Sequence, residues 1–381
     1  MRLQIIYKLL LSVVSIAVFS VVLWFALDWY LLSTQYAKQR LQWSWVLGLE
    51  GDETNSVITN KHEFISDARL IYRSKPNVPD ITDAYGFRLQ SSDTKIATDT
   101  KKKILLTLGD STTWGDSVNN YETYPYHLSQ RLSDYTVINA GTRSYGPDQE
   151  YLYFKDVIVN TYGIKPYMLI WTLYINDIND MVYFPLFIPF QNRLIQIPGW
   201  INGMYIVRQL LQYLPVSIVN SRPGNFLLNH IQHINLVRIA YNSPTKKTQF
   251  AQDKLRLLIQ QMMEFCAQYN IRLILVMAPN QGVLMKHPDT IELYTNLKSA
   301  LENIGIEYID VHEIFISNRI DGIEKKIVEQ DRYAGATISA SMFNLDSQES
   351  SPEIWKHLSS TGNKFFADML YTYITDSQSL P

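Results

Sequence analysis

A single cysteine, Cys266, stands in 381 residues. That scarcity excludes an internal disulfide and any metal site built from cysteine thiolates. Cys266 lies in an amphipathic stretch, Leu255 to Tyr269, and reads as a small buried hydrophobe. Metal-ligand spacing is lacking elsewhere too. His230 and His233 are three apart and can share a helical face, but no third ligand lies near them, and a tetrahedral site needs more. An excess of charge of one sign is also missing: 34 basic against 36 acidic residues leave a formal net charge of -2, which gives no electrostatic footprint for nucleic acid.

Charge is absent altogether from Leu9 to Leu27. At ~1.5 Å per helical residue those ~19 positions nearly match a hydrocarbon core of ~30 Å. Trp24, Trp29 and Tyr30 fall where the far interface would lie. No small-residue cleavage site follows, and secretory apolar regions are shorter, so residues 9–32 read as an uncleaved transmembrane anchor. The alternative is a helix buried in a soluble fold. Orientation is poorly marked, because Arg2 and Lys8 on one side are matched by Lys38 and Arg40 on the other.

What the chain does contain, with 46% apolar residues, is enough for a sizeable core. A polar region, 33–102, joins the anchor to the first strand, and its segment Asp83 to Arg88 is either an arm packed on the following domain or a simple turn. The organising stretch is Ile104 to Gly115. Five strand-forming residues run into Gly109-Asp110-Ser111, as in a buried parallel strand that delivers a serine to the carboxyl edge of a sheet. A helix, Thr123 to Ser133, follows. Next come a strand, Tyr135 to Ile138, the loop Asn139 to Gly146, and a helix opened by Pro147 with Asp148 and Glu150 near its start, which suits the helix dipole. The third strand, Tyr167 to Leu173, ends in Tyr174-Ile175-Asn176-Asp177. Strand and helix alternate again from Gln252, with strands Ile271 to Met277 and Glu307 to Val311 and a terminal helix, Gly362 to Tyr373. Five near-continuous apolar strands alternating with helices predict a parallel, doubly wound sheet. Residues 178–251 break the pattern with a density of aromatics and prolines. They read as an insertion forming a lid, a partner surface, a bilayer contact or a small subsidiary core.

In chain order there are thus Gly109-Asp110-Ser111 after strand one, Gly141 after strand two, Asn176-Asp177 after strand three and His357 before the last helix. This order resembles the SGNH, or GDSL-type, hydrolases, named for that serine, glycine, asparagine and histidine. The likeness covers Lys103 to Asp177 and Gln252 to Tyr373, and is carried most by Gly-Asp-Ser-Thr-Thr-Trp-Gly and His-Leu-Ser-Ser-Thr-Gly-Asn. It implies a flavodoxin-like three-layer α/β/α domain with a five-stranded parallel sheet, built from 103–177 and 252–375, beside the N-terminal transmembrane helix and the aromatic-rich insertion.

The resemblance also implies roles. Ser111 is the nucleophile and His357 the base, since a serine hydroxyl attacks only as its proton is taken and neutral imidazole accepts protons at pH 7. The oxyanion donors would be the N–H of Ser111, the N–H of Gly141 and the Asn176 amide. Asp110 is read as support for the serine turn, and Asp177 as a cap for the segment after it. Two departures from the family pattern stand out. The acid expected three residues before the histidine is Ile354, so Glu353 is the candidate third member only where the backbone turns it inward. The glycine expected two residues before Asn176 is Tyr174, which narrows the site. His312 is the rival base, with a strand-end structural role as its alternative.

The activity implied is a serine esterase acting on O-acyl, often O-acetyl, groups of envelope carbohydrate. An O-acyltransferase using the same residues and an inactive carbohydrate-binding relative are the alternatives. No cofactor and no metal are called for. The expected partners are an acylated carbohydrate or small ester, the membrane through the N-terminal helix, and a membrane-bound acyltransferase. The resemblance further implies residues 1–8 in the cytoplasm and the catalytic domain outside it.

Overall fold

A computed structural model describes residues 2–32, 50–51, 58–59, 64–90, 102–116, 118–211, 213–214, 218, 221–232, 243–280, 283, 288–302, 304–306, 308–317 and 357–378. The chain divides into two compact units, one of Met1–Ser66 with Trp200–Ile234, the other of Asp67–Gly199 with Asn235–Pro381.

The larger unit is built on five parallel strands: β1 (Lys103–Leu108), β2 (Tyr135–Asn139), β3 (Met168–Leu173), β4 (Arg272–Met277) and β5 (Tyr308–Asp310). Their spatial order is β5-β4-β3-β1-β2, the flavodoxin-type order, whose switch point lies between β1 and β3. All six residues of β3 and the last four of β1 are buried, which is why their apolar residues run nearly continuously rather than alternating. The pleat then sorts side chains by parity. Leu105 and Val137, with Met168, Ile170, Ile274 and Val276, share one core with Tyr124, Leu128, Phe366 and Leu370. Those partners come from α3 (Tyr124–Arg131) and the C-terminal helix α11 (Ser360–Gln378). On the opposite face, Trp171 donates its indole N–H to Glu150 at 2.6 Å, and Phe154 meets Phe265 edge-on at 5.8 Å. The elements there are α4 (Pro147–Leu152), which continues with π-type winding over Tyr153–Val159, and the long helix α8 (Pro244–Gln268).

Two boundaries differ from the sequence expectation. Only Trp200–Ile234 of the 178–251 stretch separates from the larger unit. α5 (Asp177–Tyr183) and the hairpin Phe187–Phe190/Arg193–Gln196 belong to the larger unit, and α8 starts at Pro244, capped by Ser243. The cause is a buried charge. Asp148 accepts N–H bonds from Leu186 (2.8 Å) and Phe187 (3.0 Å) and an ammonium bond from Lys254 (2.8 Å), which fastens the hairpin to α4 and α8. The segment Asp83–Arg88 is an arm rather than a free turn: Asp83 accepts from Tyr85 and Phe87, and the Arg88 N–H bonds to the Asn139 carbonyl at 3.1 Å, just past the pairing of β2. Phe87 is buried against Tyr153 and Tyr162.

The smaller unit contains α1 (Arg2–Leu32) and the helices α6 (Gly203–Leu211) and α7 (Arg222–Gln232), with α7 packed on both α1 and α6. Within α1, the 20 residues Ser12–Leu31 form one helix long and apolar enough to cross a membrane.

Candidate active site

β1 ends at Leu108, and the chain must then turn in almost no space. A Cβ at Gly109 would lie 2.3 Å from Thr113 Oγ1 and 2.9 Å from the Thr172 carbonyl oxygen. Asp110 caps the single-turn helix α2 (Ser111–Trp114), its carboxylate accepting the Thr112 N–H at 2.8 Å. That turn closes at once, because the N–H groups of Gly115 and Asp116 both bond to the Ser111 carbonyl (2.9 and 3.0 Å). Ser111 therefore stands at the head of a helix at the sheet's carboxyl edge, beside the switch point where open α/β sheets hold their ligands. Its own N–H bonds to no described residue.

His357 lies 246 residues further on, and its Nε2 is 2.9 Å from Ser111 Oγ. The segment that carries it is pinned by Asn363, which accepts the Tyr124 N–H at 2.9 Å and donates to the carbonyls of Leu358 and Ser359 at 3.1 and 3.0 Å. α3 and α11 are thereby tied together at the point where the histidine must be placed. Glu353 lies outside the described residues. Asp116 Oδ2 is 3.9 Å from His357 Nε2, and Asp116 Oδ1 is bonded to Arg143 Nε.

Gly141 sits where no side chain fits. Its missing Cβ would sit 2.3 Å from the Trp114 nitrogen, so the β2 loop packs directly on the backbone of α2. Its N–H is spent on Asn139 Oδ1 at 3.0 Å, while Asn139 Nδ2 donates to the Thr113 carbonyl at 2.9 Å. The Gly141 N–H, expected from the resemblance to be an oxyanion donor, is thus bonded within its own loop in this structure. The same loop is braced from the arm by the Tyr72 hydroxyl, 2.8 and 2.9 Å from the carbonyl oxygens of Arg143 and Ser144.

Asn176 occupies the N-cap position of α5, but its side chain makes no cap bond. Nδ2 instead donates to Asp180 Oδ2 at 2.7 Å, and the amide also interacts with the Asp110 carboxyl group. Asp177 does not cap the helix: its Oδ2 accepts the Tyr174 N–H at 2.8 Å. Tyr174 is buried, and its hydroxyl accepts from Asn280 Nδ2 at 2.5 Å. His312 closes that chain of contacts. Its Nε2 accepts the Asn280 N–H at 2.9 Å and its side chain is fully buried, so it has neither the lone pair nor the access that a base needs.

Beneath these residues lie acids that sequence reading left unconnected. Burial holds the carboxyl groups of Asp110, Glu150, Asp177 and Asp180 above the ordinary carboxylate range. Mutual repulsion adds to this for Glu150, Asp177 and Asp180, each of which faces Asp110. Glu150 and its neighbour Asp148, read from sequence as dipole partners, are both buried and bonded. Asp180 was findable in the sequence, because an i, i+4 spacing from Asn176 puts both on one helical face. The Asp116–Arg143 pair carried no such signal.

Fold and site together have the form of an α/β protein with a serine–histidine pair at the sheet's switch point, and in the order of its site residues the chain resembles the SGNH, or GDSL-type, hydrolases. No family model matches the chain, and no curated protein matches it. Among solved structures it is similar to a member of the lipolytic protein G-D-S-L family from Veillonella parvula, at 13% identity and a TM-score of 0.35, over 71% of this chain and 98% of that one. It is likewise similar to the psychrotrophic esterase EstA of a Pseudoalteromonas species (12%, TM-score 0.35, 73% and 99%). A variant of an acetyl xylan esterase from Geobacillus stearothermophilus is a third (11%, TM-score 0.35, 70% and 92%).

Proposed function

We propose that the chain is a serine ester hydrolase whose Ser111 is acylated by an O-acyl ester and then freed by water. The observation that carries this reading is the 2.9 Å contact between Ser111 Oγ and His357 Nε2. As Oγ attacks the ester carbonyl, its proton passes to Nε2 and the carbonyl oxygen becomes an oxyanion. Two donors stand near it: the Ser111 N–H at the head of α2 and the Asn176 amide, which also interacts with the carboxylates of Asp180 and Asp110. Such pre-placed donors are worth ~3 to 4 kcal/mol each. The imidazolium protonates the departing alcohol, and deacylation repeats the sequence with water as nucleophile. No step calls for a cofactor.

The acyl group is proposed to be small, most simply acetyl, and the ester to lie on an envelope carbohydrate, following the sequence resemblance to anchored SGNH hydrolases. Under the same reading α1 is the anchor and the larger unit works outside the cytoplasm; the 20-residue apolar stretch supports the anchor. The full-length protein in detergent is assayed with an aryl acetate and a serine-directed fluorophosphonate. Hydrolysis and labelling that both disappear in Ser111→Ala, with hydrolysis lost in His357→Ala, are expected. Turnover that survives Ser111→Ala would overturn the reading, and turnover that starts only when a sugar acceptor is added would replace hydrolysis by acyl transfer.

A further inference from the structure

Asp116 and Ser111 Oγ both lie near the Nε2 end of the His357 ring. Asp116 Oδ2 is 3.9 Å from Nε2, the nitrogen that takes the proton in both half-reactions. Oδ1 is occupied by Arg143, whereas Oδ2 accepts a hydrogen bond from no described residue. The side chain is 20% exposed, so solvent reaches it. Because the Arg143 guanidinium neutralises the carboxylate, its value at the site lies in a fixed, unshared acceptor rather than in net charge.

Once Ser111 is acylated its Oγ no longer bonds to Nε2, and the attacking oxygen must come within about 2.6–3.2 Å of that nitrogen. An oxygen about 2.8 Å from both Nε2 and Asp116 Oδ2 satisfies ordinary hydrogen-bond lengths across a 3.9 Å gap. A group placed there donates two protons, one to each acceptor. Water has two; a monohydric alcohol has one.

We propose that Asp116, held by Arg143, positions the hydrolytic water. The inference rests on the acyl-enzyme reading above and makes it specific: the second substrate is water. In the step itself the water O–H bond facing His357 breaks and its proton passes to Nε2. A bond forms between the water oxygen and the acyl carbon, the other hydrogen staying on that oxygen and hydrogen-bonded to Asp116 Oδ2. Collapse then breaks the acyl–Oγ bond, and Nε2 returns its proton to Ser111.

Three variants of the full-length protein test this: Asp116→Asn, Asp116→Glu and Ser111→Ala. In Asp116→Asn the Arg143 Nε–H keeps the amide oxygen, so an NH2 donor faces the water where an acceptor is needed. Rapid mixing with an aryl acetate, followed by mass spectrometry of acetyl-Ser111, measures formation and decay of the intermediate separately. For Asp116→Asn, formation within about twofold of wild type and decay slowed about ten- to a hundredfold are expected. Asp116→Glu, which keeps the acceptor one methylene out of place, should fall between the two. With methanol present, the ratio of methyl acetate to acetate should rise about tenfold in Asp116→Asn, a change that general damage to the site would not produce. Formation and decay slowed by one common factor, or an unchanged product ratio, would refute the role of Asp116 and leave the hydrolase standing. If wild type forms no acetyl-Ser111 at all, both readings fall.

Discussion

Asn176 and Asp180 provide a test in which the geometry sets the arithmetic. The Asn176 amide can serve an oxyanion only if it is held in one orientation, and the holding contact is its 2.7 Å bond to Asp180 Oδ2, one helical turn on and 6% exposed. Removing an oxyanion donor costs about 10²–10³ in kcat, or ~2.7–4 kcal/mol, so Asn176→Ala should lose that much with KM little changed. Asp180→Ala keeps the amide but frees its torsion. Losing one net hydrogen bond of about 1–1.5 kcal/mol predicts a kcat about tenfold lower. Because Asp180 acts through Asn176, the double variant should be no slower than Asn176→Ala alone, giving a coupling energy of about 1.4 kcal/mol. The assay is steady-state aryl acetate hydrolysis by the four proteins, with thermal unfolding to show that each retains its fold. Losses that multiply to about 10³–10⁴ would mean that Asp180 acts independently of Asn176, and the positioning argument would be wrong.

Three further outcomes follow from burial. Lys254→Met leaves Asp148 inside the protein without its cation and should destabilise by about 3–5 kcal/mol; restoring much of that loss with Asp148→Leu in the same chain, read by urea unfolding, is the check. Burial raises the Glu150 carboxyl well above its ordinary range, so as pH rises through that range the native state binds more protons than the unfolded one and stability falls. Glu150→Gln should remove part of that fall, gaining about 1.4 kcal/mol for each pKa unit by which burial lifts the acid; a melting temperature that responds to pH as in wild type would contradict it. Gly141→Ala drives a Cβ to 2.3 Å from the Trp114 nitrogen, and no flexible side chain is there to yield. It should lower kcat about tenfold or more by displacing α2 and the Ser111 it carries; unchanged activity in a protein of wild-type stability would show that the loop adjusts freely.

The strands were legible along the chain because their burial is local in cause. A strand covered on both faces is apolar at nearly every position, and β1, β3 and β4 carry that mark in the runs Ile104–Leu106, Met168–Trp171 and Leu273–Met277. The order of Gly109-Asp110-Ser111, Asn176 and His357 marked the carboxyl edge for the same reason, since each block follows a strand or precedes a helix whose pattern is plain. The apolar stretch of α1 is likewise a matter of composition alone.

Contacts between distant side chains were decided only in three dimensions. The block His357 to Asn363 marked that histidine by resemblance, but not by physical cause, over His312. The choice depends on packing that fills the Nε2 of one with a backbone N–H and presents the other to Ser111. Gly141, an anion donor by resemblance, also packs on the backbone of α2, and its N–H meets Asn139, neither of which its neighbours in the chain announce. The edge of the insertion moved because Asp148 and Lys254, 106 positions apart, neutralise each other inside the fold. A residue's own type sets how it partitions between water and core. Which partner meets it depends on how helices and loops close over the sheet, and short-range pattern carries no record of that.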